Sequence, residues 1–162
     1  MAQASSQFFY RDVGTKGIEG VRPLWEKLNA HHADLSPRFG EAMRVRTFDI
    51  RKQKLLAKGG ADRIRVDLVS VGLDEPAVAY CISTVSDDGV GEIDSIYVKE
   101  DLRGQGVGSE LMRRALAWLD SKKVAAKIVS VMSDNDEALA FYRRFSFHPR
   151  TILLQEIRDD AA

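Results

Sequence analysis

Cysteine and histidine are scarce in this chain. Its 162 residues include one cysteine, Cys81, and three histidines. A single cysteine excludes an intramolecular disulfide bond. Because Cys81 lies in the apolar run of residues 77–85, we expect a small buried side chain there. His31 and His32 are adjacent but have no further cysteine or histidine nearby in the sequence. We therefore expect helix-end surface histidines and no metal site.

Long apolar runs and an excess of one charge are also missing. No stretch of about 18 apolar residues occurs, which argues against a transmembrane helix, and polar residues at positions 3–7 argue against a signal peptide. Acidic and basic residues number 24 each, so net charge gives no reason to expect nucleic acid or a membrane as partner. We expect a cytoplasmic protein with a single domain over residues 1–162.

The hydrophobic pattern predicts an α/β fold. Alternating apolar residues predict strands, and Asp87-Asp88-Gly89 is a hairpin signal between two of them. The predicted elements are strand 8–13, helix 16–33 with Pro23 inside it, a short helix from Ser36-Pro37, helix 48–58, strands 63–71, 78–85 and 91–98, a helix after Gly108, strand 127–132, helix 138–144 and strand 147–157. This order describes a mixed, mostly antiparallel sheet flanked by helices, with a β-α-β-α-β C-terminal half.

A glycine-rich loop separates the strand at 91–98 from the following helix. Gly104, Gly106 and Gly108 allow backbone angles and close approaches that other residues prevent. Their amides, at a helix N-terminus, favour a phosphate or pyrophosphate, with Ser109 and Arg103 as further donors. A plain turn is the alternative. A P-loop needs lysine after its last glycine, and a dinucleotide fingerprint has a different glycine spacing. This segment therefore matches neither of these two phosphate-binding motifs well.

This segment resembles the GNAT superfamily of acyl-CoA-dependent acetyltransferases. The family motif R/Q-x-x-G-x-G/A is matched by Arg103, Gly106 and Gly108, and the strand before and the helix after it also fit. The resemblance is specific over residues 91–147. Upstream only the order of elements agrees, and that half usually determines the acceptor.

A second family segment follows, in which an asparagine precedes an alanine-containing helix that ends in a tyrosine. Asn135, Ala138 and Tyr142 match it. The family commonly has Gly-Phe four residues after the tyrosine, whereas this chain has Ser146-Phe147. If the left-handed backbone of that glycine is kept, serine costs about 1 kcal/mol.

The resemblance implies acetyl-CoA as cosubstrate and no metal. Loop amides would hold the pyrophosphate, the backbone of residues 96–98 would pair with the pantetheine arm, and an amide near Ile96 or Val98 would polarise the thioester carbonyl. Asn135 would contact the pantetheine or cap its helix. The implied cofactor-binding residues are Ile96, Tyr97, Val98, Arg103, Gly104, Gln105, Gly106, Val107, Gly108, Ser109, Asn135 and Tyr142.

Acetyl transfer to an amine also needs a base for the amine proton and an acid for the leaving thiolate. The resemblance implies that Tyr142 is the acid. Asp94 is the first candidate for the base and Glu92 the second, because residues two apart on a strand share a face. A solvated strand face and a water relay are the alternatives.

We therefore expect direct transfer of the acetyl group to a primary amine in a ternary complex. The carboxylates of Asp87, Asp88, Glu92 and Asp94 favour a cationic small molecule over a peptide amine. A non-catalytic acyl-CoA-binding or sensing module is the alternative function, and a nucleotide-binding protein is a further one. A homodimer would agree with the habit of the family.

Overall fold

The computed structural model describes residues 7–157, so both ends of the domain expected over 1–162 lie outside the described residues. Within this part of the chain, five strands form one sheet in the order β1-β2-β3-β4-β5. The strands are β1 Phe9–Asp12, β2 Ile64–Ser70, β3 Ala79–Val85, β4 Val90–Val98 and β5 Ala126–Val129. The first four pair antiparallel, and β5 pairs parallel with β4. The predicted mixed, mostly antiparallel sheet is confirmed.

Five α-helices accompany the sheet in the described part of the chain. They are α1 Arg22–Leu35, α2 Gly40–Arg44, α3 Phe48–Leu56, α4 Val107–Ser121 and α5 Asp136–Arg143. The predicted helix 16–33 is split: a 3-10 segment, Thr15–Val21, precedes α1, and Pro23 lies in the first turn of α1. A proline is tolerated there because the first helical amides have no intrahelical acceptor.

The helix predicted from Ser36-Pro37 begins later, at Gly40. Ser36 instead ends α1, and its hydroxyl accepts a hydrogen bond from the Phe39 amide at 3.2 Å. Gly40 is required where α2 turns back on α1, because a Cβ atom there would lie 2.3 Å from the Ala33 carbonyl oxygen. The close contact between the two helices therefore sets where α2 begins.

The sheet separates two apolar cores. On one face, Trp25 of α1 and Phe48 and Leu55 of α3 pack against the strands. On the other face, Leu111 and Met112 of α4 are fully buried in a second core. Both sheet faces are therefore covered.

Cys81 belongs to the second core and is 1% exposed. Burial raises the pKa of its thiol to about 12, so the group stays protonated at neutral pH. The prediction of a small buried side chain is confirmed.

The strand predicted at residues 147–157 is absent from the part of the chain that the structure describes. Residues 148–157 lie in no helix or strand, and β5 pairs only with β4 among the described strands. The apolar residues Ile152, Leu153, Leu154 and Ile157 of this segment are exposed. A strand also needs a neighbouring strand to satisfy its backbone, and this segment has none in the described residues. The C-terminal half is therefore β-α-β-α here.

Candidate functional site

A cleft opens where β4 and β5 diverge. The parallel pairing ends with Ile93 opposite Val129, yet β4 continues to Val98. Beyond that point, residues 93–98 and residues 129–132 form the two walls of a cleft of about 990 Å³. The volume is in the range of small-molecule and cofactor sites.

A β-bulge in β4 lies at the start of this divergence. Ile82 is opposite Ser95 and Ser83 is opposite Ile93, so Asp94 is an extra residue in β4. Bulges bend the strand and increase its twist. The bulge therefore accounts for the bending of β4 away from β5 at the residue where their pairing stops.

The glycine loop lies at one end of this cleft. Gly104 and Gly106 have φ values of 77° and 84°, and Gly106 is the N-terminal cap residue of α4. A Cβ atom on Gly108 would lie 3.4 Å from the Phe141 ring, so the loop packs closely on α5. All three glycines line the cleft, at the end where the first amides of α4 have no intrahelical acceptor. Backbone amides at a helix N-terminus favour an anion.

Two arginines border the loop. The Arg103 Nε atom donates to the Val98 carbonyl at 3.0 Å, so the arginine connects the loop to the end of β4. The Arg144 Nη2 atom donates to the Ser109 hydroxyl at 2.9 Å, and Arg144 also lines the cleft. Sequence reasoning missed Arg144, because only the fold brings the end of α5 to the start of α4. Gln105 does not line the cleft; its side-chain amide is 3.4 Å from the Asp101 carbonyl.

Asn135 and Tyr142 lie at the two ends of α5, and both line the cleft. The Asn135 side chain accepts a hydrogen bond from the Ala138 amide at 3.0 Å, which caps the helix. Tyr142 is 7% exposed, and burial raises the pKa of its hydroxyl above the usual value of 10.0. The phenol therefore keeps its proton throughout the neutral pH range.

A helix-ending motif holds Tyr142 in place. The Phe147 amide donates to the Tyr142 carbonyl, the Ser146 amide donates to the Arg143 carbonyl, and the Phe147 ring packs against the Tyr142 ring at 6.1 Å. These are the bonds of a Schellman motif. Ser146 has φ 65°, so the left-handed conformation is kept although the residue is not glycine.

We expect Ser146→Gly to raise the free energy of unfolding by about 1 kcal/mol, because glycine adopts this backbone without the steric cost. Urea denaturation measures the change. The matched control is Ser121→Gly at the end of α4, where φ is not positive; glycine should destabilise that position. Equal effects at both positions would contradict the strain at Ser146.

Comparison with known proteins identifies this arrangement. The sequence model of the acetyltransferase (GNAT) family matches residues 31–147, more than half of the 162 residues. The chain belongs to this family. An uncharacterized N-acetyltransferase of Methanocaldococcus jannaschii is 34% identical to it over 74 residues, 44% of this chain and 32% of that protein. The chain therefore matches about a third of the length of this curated relative.

Solved structures show the same GNAT fold. A mutant of the BH1408 protein of Bacillus halodurans matches with a TM-score of 0.72 at 18% identity, over 93% of this chain and 99% of that one. AAC(6')-Iy, in complex with the bisubstrate analogue CoA-S-monomethyl-acetylneamine, matches with a TM-score of 0.64 at 16% identity, over 95% of this chain and 100% of that one. At these identities the likeness shows the fold alone.

Two acidic residues of this GNAT chain, Glu92 and Asp94, contact the same lysine. The Lys58 Nζ atom is 2.8 Å from a Glu92 oxygen and 2.5 Å from an Asp94 oxygen, so the two carboxylates share a face as expected. Asp94 also contacts Arg51 and accepts a hydrogen bond from the Thr84 hydroxyl. Burial alone would lower the pKa of Lys58, but its hydrogen bonds to Asp94 and Glu92 outweigh burial and raise it. Asp94 lines the cleft, and Glu92 does not.

The upstream half supplies a third part of the cleft lining. His31, His32 and Arg46 all line it, with Asn29 and Met43 beside them. Both histidines lie near the C-terminal end of α1 as expected, and they are half-buried because α1 contacts β4 at the cleft. Burial, and then the charge of His31, lower the pKa of His32 below 6.5. His32 is therefore neutral at pH 7.

Asp87 and Asp88 do not line the cleft. They lie in the β3–β4 hairpin, where Asp87 forms an ion pair with Arg63 and Asp88 accepts a hydrogen bond from the Ser86 hydroxyl. β4 runs from this hairpin towards the glycine loop, so these aspartates are at the end of the strand away from the loop. With Glu92, three of the four carboxylates that favoured a cationic acceptor are therefore outside the cleft lining, and only Asp94 belongs to it.

Two features are absent from residues 7–157. No helix there is long and apolar enough to cross a membrane. No group of three or more histidine, cysteine, aspartate or glutamate side chains is arranged there to hold a metal ion.

Proposed function

We propose that this protein transfers the acetyl group of acetyl-CoA to a primary amine. The observation that carries the proposal is the cleft between β4 and β5, which has the glycine loop at one end and the buried Tyr142 hydroxyl group within its lining. One end of the cleft suits a pyrophosphate, and the rest is long enough and apolar enough for a pantetheine arm. The family membership of residues 31–147 supports the same activity.

The cofactor would lie along β4. Amides of the loop from Gly104 to Ser109 would bind the pyrophosphate, and Arg144 would add a positive charge beside Ser109. The pantetheine arm would run beside residues 96–98, which have no β5 partner. Their backbone would pair with its amide groups as a neighbouring strand does.

The chemistry is a direct displacement. The neutral amine attacks the thioester carbonyl, a backbone amide of β4 near the bulge stabilises the oxyanion, and the carbon–sulfur bond then breaks. Tyr142 would donate its proton to the leaving thiolate, since its raised pKa keeps the phenol protonated until that step. Both substrates are bound together, so no covalent enzyme intermediate forms.

Asp94 and Glu92 are weaker candidates for the base than the sequence suggested. A proton arriving on either carboxylate would disrupt its ion pair with Lys58. His32 also lines the cleft, and its pKa below 6.5 leaves the ring neutral and able to accept a proton at pH 7. We therefore propose His32 as an alternative base to Asp94.

A pH profile of kcat at saturating substrates separates these two bases. With His32 as base, kcat should fall as pH drops through a midpoint below 6.5, because protonation removes the acceptor lone pair. His32→Gln should abolish this decline and lower kcat only about tenfold, because water replaces part of the function. His31→Gln is the matched control and should keep the decline. If His32→Gln keeps it as well, and Asp94→Asn loses activity, the base is Asp94.

The acceptor is proposed to be a small amine. The neighbour AAC(6')-Iy is an aminoglycoside N-acetyltransferase, and the cleft wall of this chain contributed by α1 and the α2–α3 segment is mixed in polarity. A peptide amine and a non-catalytic acyl-CoA-binding module are the other candidates.

Two measurements test the function. Calorimetric titration with acetyl-CoA should show binding, and a thiol-release assay across a panel of polyamines, amino sugars and peptide amines should show release that depends on the amine. Competition with ATP and NAD should not displace the cofactor. Binding without release from any amine would favour the sensing module, and the absence of binding would overturn the proposal.

A further inference from the structure

The carboxylates on β4 offer no free negative charge to an acceptor. The Asp94 side chain is 1% exposed and lies 2.5 Å from the Lys58 ammonium and 3.4 Å from the Arg51 guanidinium. Lys58 also forms an ion pair with Glu92 at 2.8 Å. Two carboxylates and two cations therefore neutralise each other, and a positively charged acceptor would have to compete with cations that are already in place.

Arg46 is a charged residue of the cleft lining without such a partner. It is exposed, and in residues 7–157 its guanidinium group forms no ion pair or hydrogen bond. The charged residues that line the cleft near the glycine loop do have contacts: Arg103 lies 3.9 Å from Glu137, and Arg144 donates to the Ser109 hydroxyl. The upstream part of the described lining therefore presents one uncompensated positive charge.

The backbone holds the turn that carries Arg46 against two other elements. The Met43 carbonyl accepts hydrogen bonds from the Asn29 side chain at 2.9 Å and from the Arg46 amide at 3.0 Å, which fixes the turn to α1. Arg51, in the helix that follows, donates to the Asp94 carbonyl at 3.1 Å. The turn is therefore anchored to α1 and, through α3, to the bulge of β4, where the proposed oxyanion contact lies.

We propose that the acceptor is a small amine that also carries an anionic group, a carboxylate or a phosphate, and that Arg46 binds this group. The inference rests on the proposed acetyl transfer and names the class of its acceptor. A guanidinium group binds either anion through two parallel hydrogen bonds. The cationic acceptor expected from the sequence is replaced, because the carboxylates that suggested it are paired or lie outside the cleft lining.

The first test compares acceptors in matched pairs that differ in one anionic group. Glucosamine-6-phosphate is compared with glucosamine, and β-alanine with β-alaninamide, in the thiol-release assay. The anionic member of at least one pair should have a kcat/KM higher by about tenfold or more, because a hydrogen bond to a charged group contributes that much. Spermidine should be a poorer acceptor than this member. A preference for the member without the anionic group in both pairs would overturn the inference.

Substitutions of Arg46 locate the preference. In Arg46→Ala the ratio of kcat/KM within the preferred pair should fall to about one, and Arg46→Lys should retain part of it. Arg44→Ala is the matched control, because Arg44 pairs with Asp34 at 2.7 Å and neither residue lines the cleft; it should keep the ratio. A weaker affinity of Arg46→Ala for acetyl-CoA, with the ratio unchanged, would assign Arg46 to a cofactor phosphate and overturn the inference.

A binding measurement separates this inference from the acetyl transfer on which it rests. The protein saturated with coenzyme A is titrated calorimetrically with both members of each pair, so that no turnover is needed. Tighter binding of the anionic member, lost in Arg46→Ala, would support the acceptor class even if no amine released thiol. Failure of every amine to release thiol would contradict the acetyl transfer, whereas equal binding of both members would contradict the role of Arg46.

Discussion

Gly106→Asp should weaken acetyl-CoA binding by about 100-fold. Gly106 has φ 84°, so an aspartate there carries a backbone cost of about 1 kcal/mol, but this cost falls on the free and the bound protein alike. Its carboxylate would also lie at the N-terminus of α4, beside the proposed pyrophosphate, where bulk and repulsion between like charges cost about 3 kcal/mol in the complex alone. This second cost corresponds to roughly a hundredfold in the dissociation constant. Calorimetric titration with acetyl-CoA measures it.

Gly89→Asp is the matched control for this substitution. Gly89 has φ 79°, and a Cβ atom added to it would meet no other atom within 4 Å. The same is true of Gly106. Gly89, however, lies in the β3–β4 hairpin. The control should therefore carry a similar backbone cost and leave the affinity for acetyl-CoA unchanged. If folded Gly106→Asp binds as tightly as the control, the glycine loop has no part in holding the cofactor.

Tyr142→Phe should lower kcat by about 100-fold and change the affinity for acetyl-CoA by less than about threefold. General acid catalysis commonly contributes about 100-fold or more, and phenylalanine keeps the packing of the ring against Phe141 and Phe147. Burial raises the pKa of this hydroxyl, so in the unsubstituted enzyme the Tyr142 hydroxyl should stay protonated throughout the neutral pH range. Steady-state kinetics and cofactor titration measure the two effects separately.

Tyr10→Phe is the matched control for Tyr142→Phe. Tyr10 lies in β1, and its ring is under the Arg114 guanidinium rather than in the cleft. The same loss of one hydroxyl should leave kcat there unchanged. Equal turnover by Tyr142→Phe and the unsubstituted enzyme across neutral pH would leave Tyr142 with a packing role only.

Local sequence was sufficient where the signal is local. The alternation of apolar residues predicted each end of β2, β3 and β4 to within one residue. The pattern was clear because each of these strands has one or both faces buried in a core. The spacing of Gly104, Gly106 and Gly108 predicted the loop, since only particular backbone angles permit that turn. The departure from glycine at Ser146 is also visible in the sequence, although only the structure shows that its φ is positive.

Local sequence patterns failed where contacts between distant elements determine the structure. The apolar residues at 147–157 predicted a strand, but a strand forms only where another strand offers its backbone, and the local sequence does not contain that information. The acidic residues Glu92 and Asp94 were predicted to face one side together. The presence of Lys58 between them depends on how α3 packs on the sheet, 34 and 36 residues away along the chain.

The sequence by itself determined the order of the strands and helices as far as α5, the glycine loop and the family, because these depend on backbone preference and on residues close together in the chain. The tertiary structure decided which side chains share the cleft. It brought His32 and Arg46 from the upstream half to face β4, placed Arg144 beside Ser109, and left Asp87 outside. The physical reason is that a cleft is formed by surfaces from several elements, and their relative positions follow from packing the two cores as a whole.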